Sequence, residues 1–158
     1  MTQTQLAWLD AAEQSLIDVA MTALGTPDGQ VLERTDRPRP NLGGGYIQLL
    51  SDNEAVQVGL CASEADLKWL ASALMREPGE LTHADVADAI GEIVNITAGG
   101  VKRRLASEKS GLQLGLPIFI QGHLEATEGQ KLFVSRVQLA GREVALVVLC
   151  GRRGARSA

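Results

Sequence analysis

Aromatic residues are scarce: two Trp, two Phe and one Tyr make up 3% of the 158 residues. Rings at Trp8, Tyr46, Trp69, Phe119 and Phe133 are too few to interleave with basic residues as a base-stacking platform, so the core must be aliphatic. An excess of positive charge is also missing. Fifteen Lys and Arg stand against nineteen Asp and Glu, a net charge of −4 with a pI near 5.2, and no global positive field draws nucleic acid. The two cysteines, Cys61 and Cys150, have neither CxxC nor Cys/His spacing, so neither a zinc site nor a disulfide framework is signalled. Both read as small apolar core residues. No long apolar run exists: Leu6 to Leu24 is interrupted by Asp10, Glu13 and Asp18, and Met1 to Gln5 carry no Lys or Arg. Neither a membrane span nor an export signal is therefore expected, and the reading is a cytoplasmic protein without a membrane partner.

What is present is an ordinary globular composition, 45% hydrophobic and 22% charged. That length and composition predict one domain over residues 1–150, followed by a basic, disordered, solubilising tail from Gly151 to Ala158. From Leu6 to Leu24 apolar residues recur at steps of three and four, which predicts an amphipathic helix ended by Gly25. Thr26 to Gly45 holds Pro27, Pro38, Pro40 and three successive glycines, and reads as a long connection with one short extended piece. Tyr46 to Leu50 and Ala55 to Ala62 read as two strands joined by a hairpin turn. Ser63 to Asp66 opens a helix that stops before Pro78, and Thr82 with Asp85 opens a longer one reaching about Leu105. After a loop from Ser107 to Gly115, three strands are predicted at Ile118 to His123, Lys131 to Leu139 and Glu143 to Cys150, the last two joined by a turn at Gly141-Arg142. The fold class is α+β: one domain of helices layered on a mostly antiparallel sheet.

The longer helix carries the chemistry. At 100° per residue, Val86, Ile90, Ile93, Thr97 and Val101 fall within about 80° of one another and should face the sheet. Asp85, Asp88, Glu92, Asn95, Gly99, Lys102 and Arg103 occupy an arc of about 100° on the opposite side. Glu92 and Asn95, three residues apart, are neighbours there and project a carboxylate and an amide together. A solvated helix face is the plain alternative, but two details weigh against it. Asn competes for backbone hydrogen bonds in mid-helix. In addition, Gly91, Gly99 and Gly100 together cost on the order of 3 kcal/mol relative to Ala. Such a helix makes sense where something must approach it closely, and Gly99, one turn after Asn95, opens that approach.

The segment Ala87 to Gly99, with Gly91-Glu92-Ile93-Val94-Asn95 at its centre, resembles the signature helix of the CheC/CheX/FliY family of chemotaxis phosphatases. The order of elements around it extends the resemblance over nearly the whole chain. Only one Glu-x-x-Asn is present, since Leu16 stands three after Glu13 in the first helix, and the CheX branch is the nearest. The resemblance implies a CheC/CheX-like fold with the motif helix packed on the sheet. It implies dephosphorylation of a phosphorylated CheY-like receiver domain, a homodimer, and Mg²⁺ supplied by the receiver rather than held by this chain. By the same resemblance Asn95 positions the attacking water and Glu92 pairs with a receiver lysine; Asp88, Gly99 and Lys102, on the same helix face, are the expected partner contacts. The connection from Thr26 to Gly45 departs from the family pattern, which leaves the identity of the receiver open.

Other candidates read as structural. Gly43-Gly44-Gly45 lacks the Lys-Ser/Thr of a phosphate loop and reads as a flexible turn. His83 and His123 have no Asp or Cys at ligand spacing, and no metal site is proposed. Lys102, Arg103 and Arg104 complement the helix dipole, with Lys102 also placed to steer an acidic surface. Two alternatives to an enzyme remain: a receiver-docking module without hydrolysis, and a dimerisation domain in which strands such as Glu143 to Cys150 pair edge to edge.

Overall fold

The computed structural model describes residues 1–37, 42–76 and 79–154. Its three helices begin where side chains can satisfy free backbone donors. Helix α1 (Gln3–Thr22) is closed by a capping box: the Gln5 N–H donates to Thr2 Oγ1 at 3.2 Å and the Thr2 N–H donates to Gln5 Oε1 at 2.9 Å. Strand β1 (Gln30–Thr35) follows, then β2 (Leu42–Leu50) and β3 (Glu54–Ala62) as an antiparallel hairpin. Helix α2 (Glu64–Met75) is capped by Ser63 and ends at Arg76, whose φ of 53° is left-handed. Helix α3 (His83–Arg104) carries a second capping box, Thr82 with Asp85. Strands β4 (Gln113–Leu114), β5 (Ile118–Gly122), β6 (Gln130–Leu139) and β7 (Arg142–Arg152) complete the order.

All strand pairs are antiparallel. The sheet runs β1-β6-β7-β3-β2, and the outer side of β2 is shared by β5 along Leu42–Tyr46 and β4 at Leu49–Leu50. The three helices cover one face, over a core that includes Trp8, Leu16, Ile47, Leu60, Leu70, Ile90 and Leu146. The chain from β5 to β6 crosses the other face, where Leu124 packs on Tyr46, Cys61, Val134, Ala145 and Val147. There the Tyr46 hydroxyl and the Cys61 thiol lie 2.7 Å apart, and burial pushes the Cys61 thiol up to about 11. Cys61 is thus the buried apolar-type residue expected of it, whereas Cys150 is only half-buried.

Several expectations are corrected. Gly43-Gly44-Gly45 is not a turn but the first half of β2, flanked by β3 and β5. Glycine was needed for space: a Cβ on Gly45 would stand 2.9 Å from Ile90 Cγ2, and one on Gly44 2.4 Å from the Leu60 carbonyl. The extended piece in the long connection is β1, an edge strand whose Arg34 reaches α1. Two residues form the β6–β7 turn, Ala140 and Gly141 with φ of 49° and 75°, one position earlier than predicted. β7 lies between β6 and β3 and has no free edge, so it cannot pair with a second copy. It also extends through Gly151 and Arg152, paired with Ala55 and Glu54. Pro38, Pro40, Pro78 and residues 155–158 lie outside the described residues.

Candidate functional site

Helix α3 is the middle member of the helical layer, packed on β2 and β3 beneath and flanked by α1 and α2. Its inward stripe, Val86, Ile90, Ile93, Thr97 and Val101, is buried as the periodicity predicts. The opposite stripe stays outside: Asp88, Glu92, Lys102 and Arg103 are exposed, and Asn95 and Gly99 are half-buried. The residues that the periodicity placed on one surface of the helix therefore do share it. Glu92 and Asn95 are i, i+3 neighbours whose Cβ atoms stand about 5–6 Å apart. Their side chains, and those of Asp88, Lys102 and Arg103, make no hydrogen bond or ion pair with another described residue. The carboxylate and the amide are free to engage a partner.

Two adjacent glycines of α3 have different reasons to be there. A Cβ on Gly100 would lie 2.7 Å from Ser15 Oγ and 2.8 Å from Ser15 Cβ, so Gly100 permits the close approach of α1. A Cβ on Gly99 would meet only Arg103 Nη1, at 3.6 Å, an ordinary contact. Among the described residues nothing requires glycine at position 99. One turn before Asn95, Gly91 is buried beneath Pro117, whose ring would stand 3.6 Å from an added Cβ. This contact fixes the loop before β5 against the Asn95 side of the helix.

The rest of the titratable inventory lies elsewhere or is tied up. At the start of α3 the Thr82 backbone N–H and hydroxyl hold the Asp85 carboxyl below its usual range. His83 meets Phe119 edge to face at 5.6 Å, and His123 is an exposed partner of Glu125. Among the described residues no group of three or more His, Cys, Asp and Glu side chains is placed to hold a metal ion. Glu13, the acidic residue of α1 that might have headed a second motif, points into the domain. It is 3% exposed and accepts hydrogen bonds from Arg34 and from the Ser135 hydroxyl. Its partner Arg34 is held charged far above any working pH, chiefly by Glu13. The inward Glu13 locks α1 to β1 and β6 and offers no second surface. A residue whose placement the sequence did not disclose is Arg103: it reads as a dipole complement, but its head lies back over Gly99.

The family model described as chemotaxis phosphatase CheX matches residues 44–138. No curated protein matches the chain. Among solved structures the fold is similar to the chemotaxis protein CheX from Vibrio vulnificus, with a TM-score of 0.74 and 19% identity over 90% of this chain and 98% of that one. It is similar to the structure of a CheX–CheY–BeF₃–Mg²⁺ complex from Borrelia burgdorferi, at TM-score 0.73 and 18% identity over 93% and 96%. Thermotoga maritima FliY is more distant, at TM-score 0.66 and 11% identity over 96% and 91%. With its Glu92–Asn95 turn inside the matched residues, on a helix packed across an antiparallel sheet, the chain belongs to the CheX family of chemotaxis phosphatases.

Proposed function

We propose that the outward face of α3 hydrolyses the aspartyl phosphate of a CheY-like receiver domain, with Glu92 and Asn95 as its catalytic pair. The observation that carries this reading is an unpartnered Glu92–Asn95 pair one turn from a glycine that no internal packing requires. Asn95 has no proton to abstract or accept at neutral pH, so its role is geometric. Its amide hydrogen-bonds a water and aligns it opposite the aspartyl oxygen. Water oxygen bonds to phosphorus, the phosphorus–oxygen bond to the aspartate breaks, and the products are a free carboxylate and inorganic phosphate. A loose phosphoryl transition state gains mainly from such positioning and from charge neutralisation, so no strong base is needed. Glu92 pairs with a receiver lysine and fixes the register of docking.

Asp88 and Lys102 extend the contact on either side, and Gly99 lets the receiver backbone come close. Mg²⁺ arrives with the receiver and neutralises phosphoryl charge; the Borrelia burgdorferi complex, with CheY, BeF₃ and Mg²⁺ together, supports that division of labour. The protein would act in the cytoplasm with the receiver. Among the described residues no helix is long and apolar enough to cross a membrane. Homodimerisation is part of the same reading, with β5 as the edge that a second copy would use. Among the described residues that strand pairs only with β2, and it exposes Ile118 and Ile120 at 54% and 43%. The other edge, β1, exposes one large apolar residue, Leu32, among Gln30, Glu33 and Arg34, and is the poorer apolar contact.

The test is to mix the protein with a phosphorylated CheY-like receiver and Mg²⁺ and follow loss of the phosphoryl group. Acceleration by the wild type that collapses in Asn95→Ala and Glu92→Ala is the expected result. Binding without acceleration would replace the phosphatase by a docking module.

A further inference from the structure

The outward face of α3 is graded in charge along its axis. Asp85, Asp88 and Glu92 fill the first half, Asn95 and Gly99 the middle, and Lys102 and Arg103 the end. Helix rise separates the Cα atoms of Glu92 and Arg103 by about 16 Å. The Arg103 side chain shortens that separation by running back toward the middle. Its Nη1 stands 3.6 Å from the position of a Cβ on Gly99, which delivers the charge one turn, about 5–6 Å along the axis, from Asn95. This is the ordinary direction for a long helical side chain, which lies over the preceding turn; with no side chain at Gly99, that turn brings the head toward the middle of the outward face. The neighbouring Arg104 is committed to Asp18, but the Arg103 side chain makes no hydrogen bond or ion pair among the described residues.

A phosphoryl dianion approaching Asn95 meets Asp88 and Glu92 on one side, and their field repels it. Lys102 projects on the Asn95 flank as a flexible point charge; the Arg103 guanidinium, already lying over Gly99, presents the planar fork that matches phosphoryl and carboxylate oxygens. We infer that Arg103 is a specificity-determining residue of this site. Its guanidinium engages the phosphoryl-bearing side of the receiver while Glu92 takes the receiver's cation. The two contacts fix one polarity of docking along the helix and favour the phosphorylated over the unphosphorylated receiver. This inference rests on the phosphatase reading given above.

The experiment measures, by titration calorimetry, the affinity of the full chain for a CheY-like receiver domain in Mg²⁺, with and without beryllofluoride on its aspartate. The proteins compared are wild type, Arg103→Met, Arg103→Lys and Asn95→Ala. Wild type should bind the beryllofluoride form about tenfold more tightly than the bare form. Arg103→Met, which keeps the apolar stem, should lose that tenfold preference and leave affinity for the bare form unchanged; Arg103→Lys should restore part of it. In the hydrolysis assay Arg103→Met should raise KM about tenfold with little change in kcat. Asn95→Ala should keep the preference while losing hydrolysis. An unchanged preference in Arg103→Met, or an equal loss on both forms, overturns the role of Arg103 and leaves the phosphatase reading intact. Absence of hydrolysis by the wild type overturns both.

Discussion

Replacing Gly99 with Ala should make the protein more stable and a worse phosphatase. In the interior of a helix, Ala is favoured over Gly by about 1 kcal/mol. That gain is realised only if the added methyl group fits. At position 99 it meets a single atom, the end of the flexible Arg103 side chain at 3.6 Å, and the residue is half-buried, so the full gain should appear. For a domain of this length about 1 kcal/mol corresponds to a rise in Tm of about 2–4 °C. The neighbouring site supplies the control. A methyl group on Gly100 stands 2.7 Å from Ser15 Oγ, and forcing α1 away from α3 should cost about 1–3 kcal/mol despite the same gain in helix propensity. Urea unfolding followed by the fluorescence of buried Trp8 measures both changes. On the receiver the ranking reverses. The Gly99→Ala methyl sits between Asn95 and Lys102 on the docking surface and should lower kcat/KM about tenfold, while Gly100→Ala, inside the helix pair, should act only through stability. Stabilisation by Gly99→Ala with unchanged kcat/KM would refute the assignment of Gly99 to docking; destabilisation would refute the packing argument itself.

Two further perturbations test other parts of the fold. Arg34→Ala should destabilise the protein by about 3 kcal/mol in chemical denaturation, and by more than Glu13→Gln, because it strands the buried Glu13 carboxylate whereas the half-exposed Arg34 can turn to water. Ile120→Lys on the free edge of β5 should convert a sedimenting dimer to a monomer without loss of helix content, and an unaltered dimer would move the interface away from that edge.

The motif helix was legible because its determinants are local. A capping box at Thr82 and Asp85, an apolar stripe of period 3.6 and a polar stripe opposite it are all written within 22 consecutive residues. The interior strands were legible for a similar reason, since β3 and β7 are short apolar runs bounded by turn residues. What the sequence concealed depends on distant partners. β1 reads Gln-Val-Leu-Glu-Arg-Thr, without a clean apolar alternation, because one of its anchors is the ion pair from Arg34 to Glu13 rather than a buried side chain. The glycines of β2 read as a turn because conformational freedom is the property of glycine visible in sequence. Their function here is the absence of a Cβ beneath Ile90 and beside Leu60, which depends on where α3 and β3 lie.

The same ambiguity decides how the site itself is interpreted. In sequence Gly99 and Gly100 are equivalent breakers of a helix, and only the position of Ser15 separates them. Once Gly100 is accounted for by the crossing of α1, the helix retains a weakness that the domain's own packing does not use. It falls on the outward face, one turn after Asn95, between an acidic half and a basic half. A face that merely met water would have no use for an unpartnered Asn in mid-helix followed by glycine at the next turn. The proposed partner, which carries a cation and a phosphoryl anion close together, would account for both, because the acidic half would receive the one, the basic half the other, and the Asn lies where the two meet.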